Sequence, residues 1–240
     1  MPIHHNNKCD ATLWLQQCLP VIIQPKVDVE KDNQLVRVFY EFFKDDNNIM
    51  NCRLCVVYAG ESTFYTRKIE KENLWATCLY RSYNRKLYGR TADIDYLEYK
   101  DVNFDRKCTK PWKSIFTTDH AGNQTWSEGS KGDIFSWFSL MHHYSKNISY
   151  GKWQKYEKTH RPLLYVNTCN HMWGEVDHNP DLSKHVWSAY YFQEGDKHDA
   201  LEFAQKHIPT KHNLYSIFCF CFARNGGGCC DRKIYHGNED

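Results

Sequence analysis

Apolar and polar residues alternate with a period of two over several stretches of this chain. In QLVRVFYEFF, Val36, Val38, Tyr40 and Phe42 share one face while Arg37 and Glu41 share the other, which predicts a half-buried strand. KDDNN, Lys44 to Asn48, is turn chemistry, and IMNCRLCVVYAG after it predicts a second strand, hairpin-paired with the first. DIDYLEYKDVNF alternates like a strand, and RPLLYVNTCNHMWGEVDHNP is strand-like from Leu163 to the breaker Asn179–Pro180. The Gly, Asn, Thr and Trp mixture from Lys110 to Gly132 predicts long loops.

A longer period appears in three places. Asp10 precedes ATLWLQQCL, where Trp14 and Cys18, and Leu15 and Leu19, stand four apart before Pro20; the pattern predicts a short helix capped by Asp10. TRKIEKENLWATCLYRSYNRKL is compatible with a helix. DKHDALEFAQKHI offers Asp196 or Asp199 as cap, Leu201, Ala204 and Ile208 as an apolar stripe, and Pro209 as the stop. After it, LYSIFCFCFARNGGGCC is apolar on both faces, which predicts a central strand ending in a turn at Asn225–Gly226. The expected class is mainly β with helices. The terminal helix either packs on its own domain or serves as an arm reaching a neighbouring subunit.

With 240 residues the chain is long enough to bury a core without disulfide or metal staples. No charged segment followed by an apolar run opens the sequence, and no apolar stretch is long enough to span a bilayer, so neither a secretory signal nor a membrane anchor is expected. Eleven cysteines are an odd number for a disulfide framework, and in a reducing cytoplasm they stay thiols. The 31 Lys and Arg against 29 Asp and Glu leave +2, too weak a field to attract nucleic acid or an anionic membrane. Sixteen Tyr, thirteen Phe and eight Trp accompany a mean hydropathy of −0.73, a combination that suits contact surfaces.

The cysteines raise three chemical readings. Cys52-x-x-Cys55 has the spacing of a zinc-chelating pair, but in an alternating strand the two sulfurs point to opposite faces. Cys219 and Cys221 share a face of the last strand, with parallel side chains unsuited to a disulfide, and read as small core hydrophobes; Cys229 and Cys230 lie past the turn with no assigned role. A Cys/His nucleophile has thirteen histidines to draw on, among them His142, His143, His171 and His178, but no spacing pairs one with a thiol. RNGGGCC lacks the Lys-Ser/Thr ending of a phosphate loop, and no basic and aromatic cluster of a nucleic-acid reader is present. A Cys/His hydrolase and a zinc-binding interaction module are the functional classes that this chemistry leaves open.

Three blocks, DNQLVRVFYEFFKDDNN (Asp32 to Asn48), VDHNPDLS (Val176 to Ser183) and YFQEGDKHDALEFAQKH (Tyr191 to His207), resemble in order and spacing blocks of the cypovirus polyhedrins. The resemblance implies a β-sandwich, residues 26–240, with an N-terminal helical arm, residues 1–25. It implies trimers that build a crystal in the cytoplasm of an infected insect cell, an occlusion body that encloses virus particles and dissolves in the alkaline larval gut. It makes Trp14, Leu15, Cys18 and Leu19 the contact residues of the arm, and it implies no enzyme activity and no required cofactor, with a nucleotide as an optional ligand.

The residues themselves suit alkaline release. Thiols ionise near pH 8.5 and phenols near 10, so a chain rich in both turns anionic in alkali, and contacts that bury them neutral weaken. Cys219, Cys221, Cys229, Cys230, Tyr40 and Tyr215 are the expected release groups.

Overall fold

The long hairpin sets the frame. In a computed structural model that describes residues 5–60, 92–105, 107–126 and 144–208, strands β2 (Leu35–Lys44) and β3 (Met50–Tyr58) pair antiparallel from Tyr58 opposite Leu35 to Met50 opposite Lys44. Their turn is the predicted one: Asp45 Oδ1 accepts from the Asn47 and Ile49 amides at 3.0 Å each, and Asn48 takes φ 62°, a left-handed conformation that Asn tolerates. Strand β4 (Asp93–Lys100) continues the sheet antiparallel to β3.

Among the described residues ten strands form one curled, mixed sheet. Besides β2, β3 and β4 they are β1 (Val21–Pro25), β5 (Ser114–His120), β6 (Tyr144–Ser149), β7 (Leu163–Val166), β8 (Trp173–Gly174), β9 (Lys184–Trp187) and β10 (Phe192–Glu194). The order is β10-β2-β3-β4-β5-β8-β7-β1-β9, with β6 also on β5, so β9 and β10 end the path. The chain is mainly β. Among the described residues the helices are α1 (His5–Cys18), the single turn α2 (Lys26–Val29) and α3 (Lys197–His207).

Four expectations change. Helix α1 starts at His5, so Asp10 lies within it rather than capping it. The loop expected from Lys110 to Gly132 contains β5, whose Ser114, Ile115, Thr117, Asp119 and His120 are buried between neighbouring strands. The single strand expected from Leu163 to Asn179 is broken into β7 and the two-residue β8 by a turn at Thr168–His171. A boundary at residue 25 cuts through the sheet, because β1 lies between β7 and β9.

The terminal helix faces its own core. Trp14, Leu15, Cys18 and Leu19 are each 4% exposed or less. The Trp14 indole sits edge-on to Phe42, Tyr99 and Phe104 and donates to the Pro111 carbonyl at 3.0 Å. The end of the helix is fastened as well: Tyr99 Oη donates to the Cys18 carbonyl at 2.7 Å, Arg161 Nε to that of Leu19 at 2.8 Å, and Tyr190 Oη to that of Pro20 at 2.7 Å. Carbonyls left over at a helix end need such partners, and a cation there also favours the helix dipole. These four side chains are packing residues of their own subunit, which fits the first of the two alternatives for the helix.

Strand β2 is covered on both faces. Val38, Tyr40 and Phe42 pack on the larger core, as the alternation predicts, while Phe39 is buried on the other side beneath α3 with Cys55, Val57, Ala200 and Ala204. That second face had been expected to be polar; Arg37 does lie there, its guanidinium 4.7 Å from the Phe203 ring. Helix α3 carries the predicted cap in full. Asp196 accepts from the His198 and Asp199 amides, and Asp199 accepts from the Asp196 amide at 2.8 Å.

Trp14→Ala removes a buried indole and its hydrogen bond. The expected loss is about 3–5 kcal/mol of unfolding free energy in denaturant titration of the single chain. A loss under about 0.5 kcal/mol, the range of surface substitutions, contradicts the inward packing of α1.

Candidate functional site

Strand β1 is fully buried yet carries an amide, Gln24, and α2 after it carries a buried carboxylate, Asp28. Polar groups at such positions need partners. Trp187 Nε1 donates to Gln24 Oε1 at 3.0 Å, which orients the Gln24 amide so that its nitrogen donates to the Asn33 carbonyl at 2.8 Å and to Asp28 Oδ2. Asn33 Nδ2 donates to Asp28 Oδ1 at 2.9 Å. Asp28 is thus an acceptor on both oxygens before any charge approaches it.

The charge comes from the β7–β8 turn. His171, wholly buried, has φ 59° there; its amide donates to the Thr168 carbonyl at 3.0 Å, and the Met172 amide donates to Thr168 Oγ1 at 2.9 Å. Its ring places Nε2 2.8 Å from Asp28 Oδ2 and Nδ1 2.8 Å from Asp93 Oδ2. The β3–β4 register sets Asp93 opposite Tyr58, and the Tyr58 ring stacks on the imidazole at 4.0 Å between centroids and 30° between planes. Tyr58 Oη in turn accepts from Trp173 Nε1 at 3.2 Å.

A neutral imidazole has one N–H and one lone pair; only the imidazolium donates from both nitrogens. Two carboxylate oxygens at 2.8 Å therefore fit a protonated His171. Burial alone lowers its pKa, but the Asp28 charge, the hydrogen bonds to Asp28 and Asp93 and the Asp93 charge outweigh it and lift the value to about 10.

Asp93, Asp95 and His171 also place one ligand atom each within 4.8 Å of one another, a spacing open to a metal ion. A metal there would take the Nδ1 lone pair while Nε2 donates to Asp28, but Nδ1 lies 2.8 Å from Asp93 Oδ2, the distance of a hydrogen bond. The donor set fits an ion-paired cation better than a metal centre.

A second imidazole shows the opposite state. The Gly122 amide donates to His120 Nδ1 at 2.9 Å, so the proton sits on Nε2, which donates to Glu175 Oε2 at 2.9 Å. Burial lowers the His120 pKa. Glu175 also accepts from Lys146 Nζ at 2.9 Å; burial opposes ionisation there, but the hydrogen bonds from His120 and Lys146 hold its carboxyl down at about 2.

The expected chemical residues divide in three. Cys219, Cys221, Cys229, Cys230 and Tyr215, like His142, His143 and the helix-compatible stretch before Asp93, lie outside the described residues. Cys52 and Cys55 fall into separate core clusters on opposite faces of β3, as the alternation predicts. Burial raises the Cys18 and Cys52 thiols above their ordinary range and Cys55 to about 12, the reverse of what a thiolate nucleophile requires. Tyr40 is half-buried on β2, and burial, then Glu194 and Cys52, raise its phenol. His178 Nδ1 lies 3.0 Å from the Gln124 carbonyl, a structural contact.

The array at His171 was not expected from sequence as a unit. One signal pointed to one corner of it: Asp28, with its partner Gln24, is a polar residue set among the apolar positions of VIIQPKVDV. In comparisons with known protein families, curated proteins and solved structures, nothing matches the chain.

Asp28→Asn withdraws the carboxylate from a buried pair. It is expected to lower unfolding free energy at neutral pH by about 3–5 kcal/mol, measured by denaturant titration; an unchanged value contradicts the ion pair. Glu175 has a folded-state pKa below its ordinary 4.5, so its contribution is present above pH 4.5 and is lost as pH falls toward 2. Glu175→Gln is expected to flatten that limb of the stability profile, and an unaltered limb rejects the assignment.

Proposed function

We propose that this chain is the structural protein of a viral occlusion body: it self-assembles in the cytoplasm of the infected insect cell into crystals that embed virus particles and dissolve in alkali. It acts by assembly and not as an enzyme, needs no cofactor, and admits a nucleotide as an optional ligand. In its finer form the proposal has the curled sheet arranged as a β-sandwich and three chains associated as a trimer. The resemblance of three ordered blocks to the cypovirus polyhedrins brings the class into view.

The observation that carries the reading is the set of neutral acids inside the fold. Tyr58 and Tyr99 are wholly buried and Tyr190 half-buried, and burial raises all three phenols; the thiols of Cys18, Cys52 and Cys55 behave alike. A folded-state pKa above the unfolded value means stability is complete below that value, near 9 for thiols and 10 for phenols, and falls as pH rises past it. Two of these phenols hold the end of α1 through their protons, and a phenolate cannot donate. A chain built this way is firm at neutral pH and weakens in alkali.

Exposed apolar side chains at both ends of the described strand path support such assembly. Val186 on β9 is 49% exposed, and Tyr191 beside β10 is 77% exposed with Phe192 next to it. Sheet ends with apolar side chains favour pairing with another chain. Because the apolar face of α1 is satisfied within its own subunit, contacts between copies use other surfaces.

Expression in insect cells followed by turbidity of the released particles from pH 7 to 11 tests the proposal. Crystalline bodies that persist at pH 7 and clear in alkali are expected. A soluble monomer, or particles equally turbid at pH 11, overturns it.

A further inference from the structure

We infer that the Asp28–His171–Asp93 array is an alkali-sensitive lock on the fold. Its proton joins three parts of the chain that are far apart in sequence: the segment after β1, the start of β4 and the turn between β7 and β8. Loss of that proton breaks one of the two links that meet at the ring.

The geometry carries the argument. With both ring nitrogens at 2.8 Å from carboxylate oxygens, removal of one proton leaves a ring lone pair directed at a carboxylate, a repulsive contact in a site where His171 and Asp28 are wholly buried. The two carboxylates then remain inside without the cation between them. The tautomer that keeps one hydrogen bond breaks the other, so one of the three segments is released whichever nitrogen gives up its proton. Asp28 cannot turn away to solvent, since Gln24 and Asn33 hold it.

The groups that face the ring from each element packed against it act in one direction. Asp28 faces it from α2, Asp93 and Asp95 from β4, and Tyr58 stacks on it from β3. Among the described residues the charged groups gathered there are all acidic, so the cation is held at neutral pH. Tyr58 adds the face of its ring, which also favours a cation. The high folded-state value agrees: relative to an unfolded histidine near 6.5, stability from the lock is complete below pH 6.5 and declines until about pH 10.

The lock differs from the buried phenols and thiols in where it acts. Those groups weaken the fold only above about pH 9 to 10, whereas the His171 contribution begins to fall nearer neutrality and is gone by about 10. It concerns the single folded chain and holds whether or not that chain assembles. If the chain builds occlusion bodies as proposed above, the lock prepares each subunit to loosen across the alkaline range in which the particles dissolve; that consequence alone rests on the assembly reading.

The test is the melting temperature of the full-length chain between pH 6 and 10.5, compared with His171→Gln and Asp93→Asn. The wild type is expected to melt well above His171→Gln at pH 6.5, with the gap closing by pH 10; Asp93→Asn moves the decline of the curve to lower pH. The phenols and thiols are common to all three, so the difference curves isolate the array. A gap that stays constant across the range overturns the lock and leaves a packing role only. Should His171→Gln fail to fold, the ring-nitrogen chemical shifts of His171 in the wild type at pH 8 decide: two protonated nitrogens support the lock, and one refutes it. Absence of particles in insect cells sinks the assembly reading without touching this result.

Discussion

A buried cation between carboxylates ties together parts of this structure that are far apart in the chain. The sheet is continuous, but its far end, β7, β1 and β9, is joined to the hairpin side through the short β8 and through the side chains that meet at His171. Asp93 begins β4, Asp28 follows β1 and His171 closes the β7–β8 turn, so one ring touches both halves of the path. Placing an imidazole in the left-handed region adds backbone strain of about 1 kcal/mol or more, which persists only where surrounding contacts fix it. Here Thr168 fixes the turn and two carboxylates fix the ring.

Around that point the fold is organised by burial. The larger core gathers Trp14, Trp112, Trp126, Trp153 and Trp173, and the smaller one lies between β2, β3 and α3. Aromatic rings supply the area, and several of their polar atoms find specific partners: Trp14 on Pro111, Trp173 on Tyr58, Trp187 on Gln24, and Tyr99 and Tyr190 at the end of α1. Such a core is stable in neutral solution because its phenols and thiols are uncharged. The same choice makes it sensitive to alkali, and the buried histidine adds a cation that alkali removes. Cation loss and anion gain both raise the buried negative charge, so the effects reinforce each other.

Much of the frame was legible in sequence because local chemistry decides it. The β2–β3 hairpin follows from alternation and the Asp45–Asn48 turn, the α3 cap from Asp196 and Asp199, and the opposite facing of Cys52 and Cys55 from the strand period. What escaped was non-local. Strand β5 was masked by Gly, Asn and Thr around it and is held by pairing with β4, β6 and β8 rather than by propensity. Helix α1 was divided between arm and core because the partners that settle the matter, Pro111, Arg161 and Tyr190, lie far along the chain. The array at His171 joins positions 28, 93 and 171, and no spacing rule links them; only the odd polar residues in an apolar run hinted at one corner.

The central claim is that the folded chain holds protons that the unfolded chain gives up in mild alkali. Proton release on unfolding at pH 8, followed in weakly buffered denaturant, measures it directly. The account predicts about one proton per chain from His171, with a small further contribution from the buried thiols. No release, or uptake, would contradict it.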